Sequence, residues 1–182
     1  MSTPFFKKFQ KEEYTAEPGH TAVAQRLLTA VMPRHLGVDK TFVYQRYTVQ
    51  SGERPEFLAD RFYKDAHLWW VFFVINGLTS PYHDWRLADE EIEEYVVRKY
   101  GAGNANEIHH FRKISTGKIC DEVDDEYFRT LDPSELPADV EPVSNLGYET
   151  ELNRSRGEII VISPKYISLF VDSYQRAIQG KA

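Results

Sequence analysis

DAHLWWVFFVING, Asp65 to Gly77, is the stretch on which the fold turns. Eight apolar residues run unbroken from Leu68 to Ile75, two of them tryptophans. A bilayer-spanning helix needs about 20 apolar residues, so this run is too short to cross a membrane and must be covered by protein. Periodicity alone does not separate a buried helix from a buried strand. The ends do: Asp65 is placed to cap a helix, and Asn76-Gly77 to end it in the left-handed conformation. A helix that is apolar on all sides is buried on all sides, so Trp69 and Trp70 are expected in the core instead of stacking on sugar rings.

Upstream, FVYQRYTV reads as a strand, with Val43, Gln45, Tyr47 and Val49 alternating against Tyr44, Arg46 and Thr48. Ser51-Gly52 makes a turn, and Leu58 and Phe62 fall one helical turn apart in a short helix. Thr21 to Met32 carries a helical stripe, Val23, Leu27, Leu28 and Val31, with Thr21 as cap and Pro33 as stop. Residues 1 to 19 show no clean period. They read as an arm whose Phe5, Phe6, Phe9 and Tyr14 dock elsewhere.

Downstream, TSPYHDW is a loop presenting Tyr82 and Trp85, the latter free either to anchor a partner or to close the domain's own core. ADEEIEEYVVRKYG is the strongest helix signal: Ile92, Tyr95, Val96, Lys99 and Tyr100 share one face, with acids in the first turn and bases in the last. Residues 108 to 123 suggest a hairpin around Ser115-Thr116-Gly117. Residues 121 to 141 hold nine acids against one base, Arg129, with Pro133, Pro137 and the following Pro142 punctuating the region, and read as an extended acidic loop. Glu158 to Ile162 is a strand. Ser163-Pro164 then opens a last helix lined by Tyr166, Ile167, Phe170, Val171, Tyr174 and Ile178.

The whole chain, 182 residues with 42% hydrophobic and 27% charged, has the composition of a globular protein. A net charge of -6 argues against a nucleic-acid partner. One cysteine, Cys120, leaves no internal disulfide and fits a reducing compartment. The N-terminal stretch lacks the apolar run of a signal peptide, so synthesis and retention in a cytoplasm are expected. No nucleophile–base pair, phosphate loop or metal-ligand spacing stands out, and no cofactor, metal or small-molecule substrate is expected. His109 and His110, adjacent on a strand, are expected on opposite faces and unable to chelate one ion. Cys120 sits among acids, which disfavours a reactive thiolate.

YTVQSGERPEFLADRFYKDAHLWWVFFVINGL, Tyr47 to Leu78, resembles the opening of a LysM domain. The matching residues include Tyr47, Thr48, Val49, Gly52, Glu53, Trp70, Ile75 and Asn76. The closing Gly-x-x-Ile-x-Ile-Pro strand is displaced to Gly157–Pro164. With FFKKF near the start, SPYHDWRLADEEIEEYVVRKYG and NRSRGEIIVISPKYISLFVDSYQRAI, the chain resembles the LysM-like baseplate wedge subunits of T-even-like, contractile-tailed bacteriophages.

That resemblance implies an α+β fold with a LysM-like βααβ core and a long insertion before its second strand. The arm and helix would occupy 1–40, the core 41–78 and 157–164, the insertion 79–156 and the C-terminal helix 165–182. It implies a non-enzymatic virion protein, assembled in the host cytoplasm into the tail baseplate. There it would join neighbouring wedges and contact the core bundle around the hub. Its partners would be other wedge proteins, a sheath-like wedge subunit and hub-proximal proteins, with no nucleic acid and no membrane. The expected contact residues are Phe5, Phe6, Phe9, Tyr82 and Trp85. The expected core is Leu58, Phe62, Trp69, Trp70, Phe73, Ile75, Ile160 and Ile162. A rival expectation is a module binding N-acetylglucosamine polymers of peptidoglycan through Gly52, Glu53 and Asn76. A cell-wall hydrolase, which needs a paired acid in a cleft, ranks last, since the obvious glutamates lie on a helix start or in a surface tract.

Overall fold

A computed structural model describes residues 11–17, 20–25 and 43–179. The fold is α+β. In chain order its elements are β1 (Lys11–Glu17), β2 (His20–Gln25), β3 (Tyr44–Thr48), α1 (Pro55–Tyr63), α2 (Trp70–Asn76), α3 (Ile92–Tyr100), β4 (Ile108–Lys113), α4 (Glu122–Phe128), β5 (Val140–Ser144), α5 (Asn145–Arg156), β6 (Glu158–Ile162) and α6 (Ile167–Ile178). They fall into two compact units. The first comprises the described residues within Met1–Trp85 and Glu158–Ala182, the second Arg86–Gly157.

In the first unit, β3 pairs antiparallel with β6, from Tyr44↔Ile162 to Thr48↔Glu158. A strand that precedes the tryptophan helix is thus completed far downstream. Asp65 caps the helical entry: its side chain accepts from the His67 N–H at 2.9 Å and starts a 3-10 turn, Ala66–Trp69, that runs into α2. Gly77, at φ 66°, ends α2 in the left-handed region that glycine adopts without strain.

The apolar run is explained by two clusters. Trp70 and Val71 pack with Val43, Ile162 and the inner face of α6 (Ile167, Phe170, Tyr174, Ile178). Phe72 and Phe73 pack with Val49, Leu58, Ala59, Trp85, Ile159 and Val161. Each fully buried large side chain of this kind stabilises the fold by roughly 1.5–3 kcal/mol.

One expected core residue is misassigned. Ile160 is 42% exposed, while Ile159 and Val161 are buried. Side chains alternate along a strand, and on the Ile160 side only Ile162 meets the α6 cluster. Phe62, Trp69 and Ile75 are half-buried at the cluster edges. The backbone of Ile160 is satisfied by α2: Asn76 Nδ2 donates to its carbonyl at 2.9 Å, and its N–H donates to Asn76 Oδ1 at 2.8 Å.

β1 and β2 form an antiparallel hairpin, Lys11↔Gln25 to Glu17↔His20, where an arm and the start of a helix were expected. Within β2 the β-branched Thr21 and Val23 alternate with Ala22 and Ala24, a period of two that the longer helical stripe obscured. The rest of that expected helix, with Phe5, Phe6 and Phe9, lies outside the described residues.

In the second unit, β4 pairs with β5, Ile108↔Ser144 to Lys113↔Val140, with a bulge between Ile108 and His110. The expected hairpin partner around residue 119 contributes one isolated bridge, Arg112↔Ile119. The acidic stretch is not one extended loop: it contains α4, a short 3-10 turn and the start of β5. A small core of Phe111, Cys120 and Phe128 sits beneath it. The helix α5 had no apolar signature in the sequence. Ser144 caps it, accepting from Gly147 N–H at 3.0 Å. A Cβ on Gly147 would stand 3.2 Å from Ser144 Oγ, a tight contact that the capping side chain would have to yield to by a few tenths of an ångström.

Candidate interaction surface

In the first unit, the loop after α2 is braced from both ends. The Asp84 carboxylate accepts from the Thr79 and Ser80 N–H groups at 2.7 and 2.8 Å and from the Thr79 hydroxyl at 2.9 Å. Trp85 is buried, stacks on Phe73 (ring centroids 5.6 Å apart) and donates its Nε1–H to the Glu53 carbonyl at 2.8 Å. Of the two readings open for Trp85, the structure shows the inward one: it closes its own unit's core and offers no ring to a partner. Tyr82, between these anchors, is 80% exposed. The braced loop thus presents the amphipathic ring of Tyr82, the kind of side chain enriched at protein interfaces.

The three residues a sugar site would use are placed differently. Gly52 takes a φ of 71° in the turn after β3. The Glu53 carboxylate accepts from Tyr47 Oη–H at 2.8 Å and pairs with Arg61 at 2.8 Å, while Arg61 also donates to the Tyr47 hydroxyl. Burial, ahead of the Glu53 charge, pushes the Tyr47 phenol up and keeps it protonated. Besides bonding Ile160, Asn76 donates to the Phe72 carbonyl at 2.8 Å. The polar atoms of Glu53 and Asn76 hold the turn to α1 and the α2 end to β6.

In the second unit the buried groups are polar. Asn145, Glu149 and Asn153 recur every four residues along α5 and are all buried. Asn145 Nδ2 donates to the Asn104 carbonyl at 2.8 Å. Glu149 Oε1 accepts from Lys99 Nζ at 2.6 Å and Tyr100 Oη at 2.8 Å. Asn153 bonds both backbone groups of Leu87, at 2.8 and 3.1 Å. Burial alone would raise the Glu149 carboxyl, but the hydrogen bonds from Lys99 and Tyr100 outweigh it and hold it below its usual range. Its charge is therefore the stable form.

His109 and His110 do not oppose each other as expected. The bulge inserts His109 as an extra residue and turns both rings to one side, with Nδ1 to Nδ1 at 2.8 Å. His109 stacks on Tyr148 of α5 at 4.0 Å. At that separation one nitrogen donates and the other accepts, so the pair does not favour two protons. Burial and then the His109 charge push His110 down. No group of three or more His, Cys, Asp or Glu among the described residues is arranged to hold a metal ion. Cys120 is buried, and its thiol is pushed up by burial and by Asp124.

Most of the acidic tract has internal work. Asp121 caps α4, accepting from Asp124 N–H at 3.0 Å. Asp125 accepts from Phe111 N–H and from Arg129, both at 2.7 Å. Arg129, the tract's single base, also donates to the carbonyls of Ile108 and His109 at the bulge. Asp132 and Glu135 close a capping box. Asp139 holds Ser115, and Glu141 pairs with Arg112. The side chains of Glu122 and Glu126 make no hydrogen bond or ion pair among the described residues. They flank Val123 and Tyr127, which are 77% and 59% exposed on the same face of α4. Sequence reasoning missed this face because the acids hid the two apolar positions between them.

A family model described as base plate wedge protein 53 matches residues 5–130, well over half of the chain. The chain is also similar to the baseplate wedge protein gp53 of Enterobacteria phage T4, at 29% identity over 65 residues. The aligned stretch is 35% of this chain and spans about a third of that relative's length, 33%. No helix among the described residues is long and apolar enough to cross a membrane.

Proposed function

The chain belongs to the base plate wedge protein 53 family, and from that premise we propose that it is a structural, non-catalytic component of a phage tail baseplate. In this reading it joins neighbouring wedges and contacts the core bundle around the hub, through other wedge proteins, a sheath-like wedge subunit and hub-proximal chains. The observation that carries it is the family match over residues 5–130.

The first unit supports the reading in two ways. It has a strand–helix–helix–strand frame, β3, α1, α2 and β6, with the second unit inserted before the last strand. We take this frame as a LysM-like core used as a scaffold. The groups a wall-binding LysM module would use are consumed inside it: Glu53 by Tyr47 and Arg61, Asn76 by Phe72 and Ile160. What remains outward is the ring of Tyr82, and the reading adds Phe5, Phe6 and Phe9, which lie outside the described residues, as further contacts.

The test is a phage lacking this gene, complemented by the wild-type chain or by Tyr82→Ser. Wild-type protein is expected in purified tail particles and in the baseplate density of intact tails, and not retained on purified cell wall. Absence from particles, or wall retention abolished by Asn76→Ala, would overturn the reading. So would turnover of a wall polymer by the purified chain.

A further inference from the structure

We propose that the α4 face carrying Val123 and Tyr127 is the docking site for the N-terminal segment, residues 3–11, of a second copy of this chain. The inference rests on the assembly reading above and extends it to a contact between copies. Three observations carry it. The face is apolar in its middle, with Val123 and Tyr127 one turn apart and exposed. Its rim is acidic, and Glu122 and Glu126 have no partner among the described residues, whereas Asp121, Asp125, Asp132, Glu135, Asp139 and Glu141 are engaged within the unit. The one base of the tract, Arg129, is spent on Asp125 and the bulge carbonyls, so no base among the described residues pairs with that rim.

The complementary segment is in the same sequence. Residues 1–11, MSTPFFKKFQK, hold three phenylalanines and three lysines and no acid. Phe5, Phe6 and Phe9 supply rings for the Val123–Tyr127 pair, and Lys7 and Lys8 supply charges for Glu122 and Glu126. Tyr127 already leans on Phe128, ring centroids 5.8 Å apart, so its ring is partly ordered before binding. Segment and receptor are different surfaces, so the contact between copies is head-to-tail. Such contacts close into rings when the rotation allows.

The experiment uses the purified full-length chain. Sedimentation velocity over a concentration series is expected to show self-association that weakens as salt is raised. Lys7→Glu with Lys8→Glu, and separately Glu122→Lys with Glu126→Lys, are each expected to weaken it about tenfold. Combining all four reversals should restore it. A photo-crosslinking phenylalanine analogue at Val123, in a mixture of light and isotope-labelled chains, should capture residues 3–11 of the other copy. Monomer throughout, association indifferent to both reversals, or crosslinks confined within one chain would each overturn the proposal. A chain that fails here yet still enters tail particles sinks only this contact, whereas exclusion of the wild-type chain from particles sinks the assembly reading.

Discussion

The two units bury opposite kinds of chemistry. Around α2, the first unit packs rings and branched chains on both sides of one short helix, and the buried polar atoms there serve mainly to tie off backbone ends, as Asn76 does for Ile160. Along α5, the second unit buries two amides and a carboxylate, each hydrogen-bonded to a separate piece of backbone or to α3. Apolar burial is non-directional and tolerates repacking. A hydrogen-bonded spine is directional, because an unpaired member leaves a desolvated group behind. The first unit should therefore be the more stable by contact area, and the second the more exacting about which residue stands where.

The largest expected effect tests the apolar side. Phe72→Ala, at a fully buried position, should cost about 3–5 kcal/mol, read by denaturant unfolding. Segment-resolved hydrogen exchange should place the loss in α1, α2, β3 and β6. If protection in α5 collapsed equally while the first unit held, the contrast would fail.

Next comes the spine. Lys99→Met leaves the buried Glu149 carboxylate with Tyr100 alone, and should cost about 2 kcal/mol after allowing for the half-exposed lysine. Pairing it with Glu149→Met should recover much of that, since replacing both partners of a buried pair by apolar groups is often near neutral. If the double variant were as unstable as the single, Glu149 would be needed for its shape and not its charge.

This contrast also explains which elements could be read in the residues. α3 and α6 carry helical apolar periods, and α2, apolar on all sides, is legible from Asp65 and Asn76-Gly77 at its ends. α5 escaped because its buried stripe is Asn145, Glu149 and Asn153, whose spacing is right but whose chemistry looks solvent-facing. β5 was hidden at the end of an acidic, proline-marked tract, and its partner β4 is held by the side chains of Asp125 on α4 and Arg129 just after it, which only tertiary structure brings near. The bulge at His109 changes which way two adjacent rings face, and no local rule for strands anticipates an inserted residue. In the first unit the β3–β6 pairing was legible from its ends, but of the two β6 residues taken as core Ile162 is buried and Ile160 is not, while Ile159 and Val161 are buried on the other side. Tyr82 was legible as exposed, whereas Trp85 turned inward because the Glu53 carbonyl and Phe73 complete its surroundings.

A pH series separates the units by sign. His110 is held below the ordinary histidine range of about 6.5 by burial and His109, so folding favours its neutral form. That contribution is complete above the unfolded value and is lost as pH falls through the folded one. Asp125 and Arg112 lie in its surroundings with Glu151, and both Asp125 and Glu149 are pushed down, so their contributions fade only in more acid solution. Between about pH 7 and pH 5, exchange protection in β4 and α5 should therefore fall while that in α1 and α2 holds. His110→Gln should flatten the slope. A fall shared by both units would assign the effect elsewhere.

The smallest stability effect sharpens the comparison most. Tyr82 is 80% exposed, and the loop that carries it is held by Asp84 and Trp85 and not by its own ring. Tyr82→Ser should therefore move the unfolding free energy by no more than about 0.5 kcal/mol. If Tyr82 is a contact, the same substitution should lower the occupancy of the chain in tail particles when variant and wild type compete during assembly. Asp84→Ala sets the control: it frees the loop, so it should reduce incorporation with Tyr82 intact and add little when combined with Tyr82→Ser. Additive losses would mean that the loop and the ring act separately, and that bracing the ring is not what the first unit's buried aromatics accomplish at its surface.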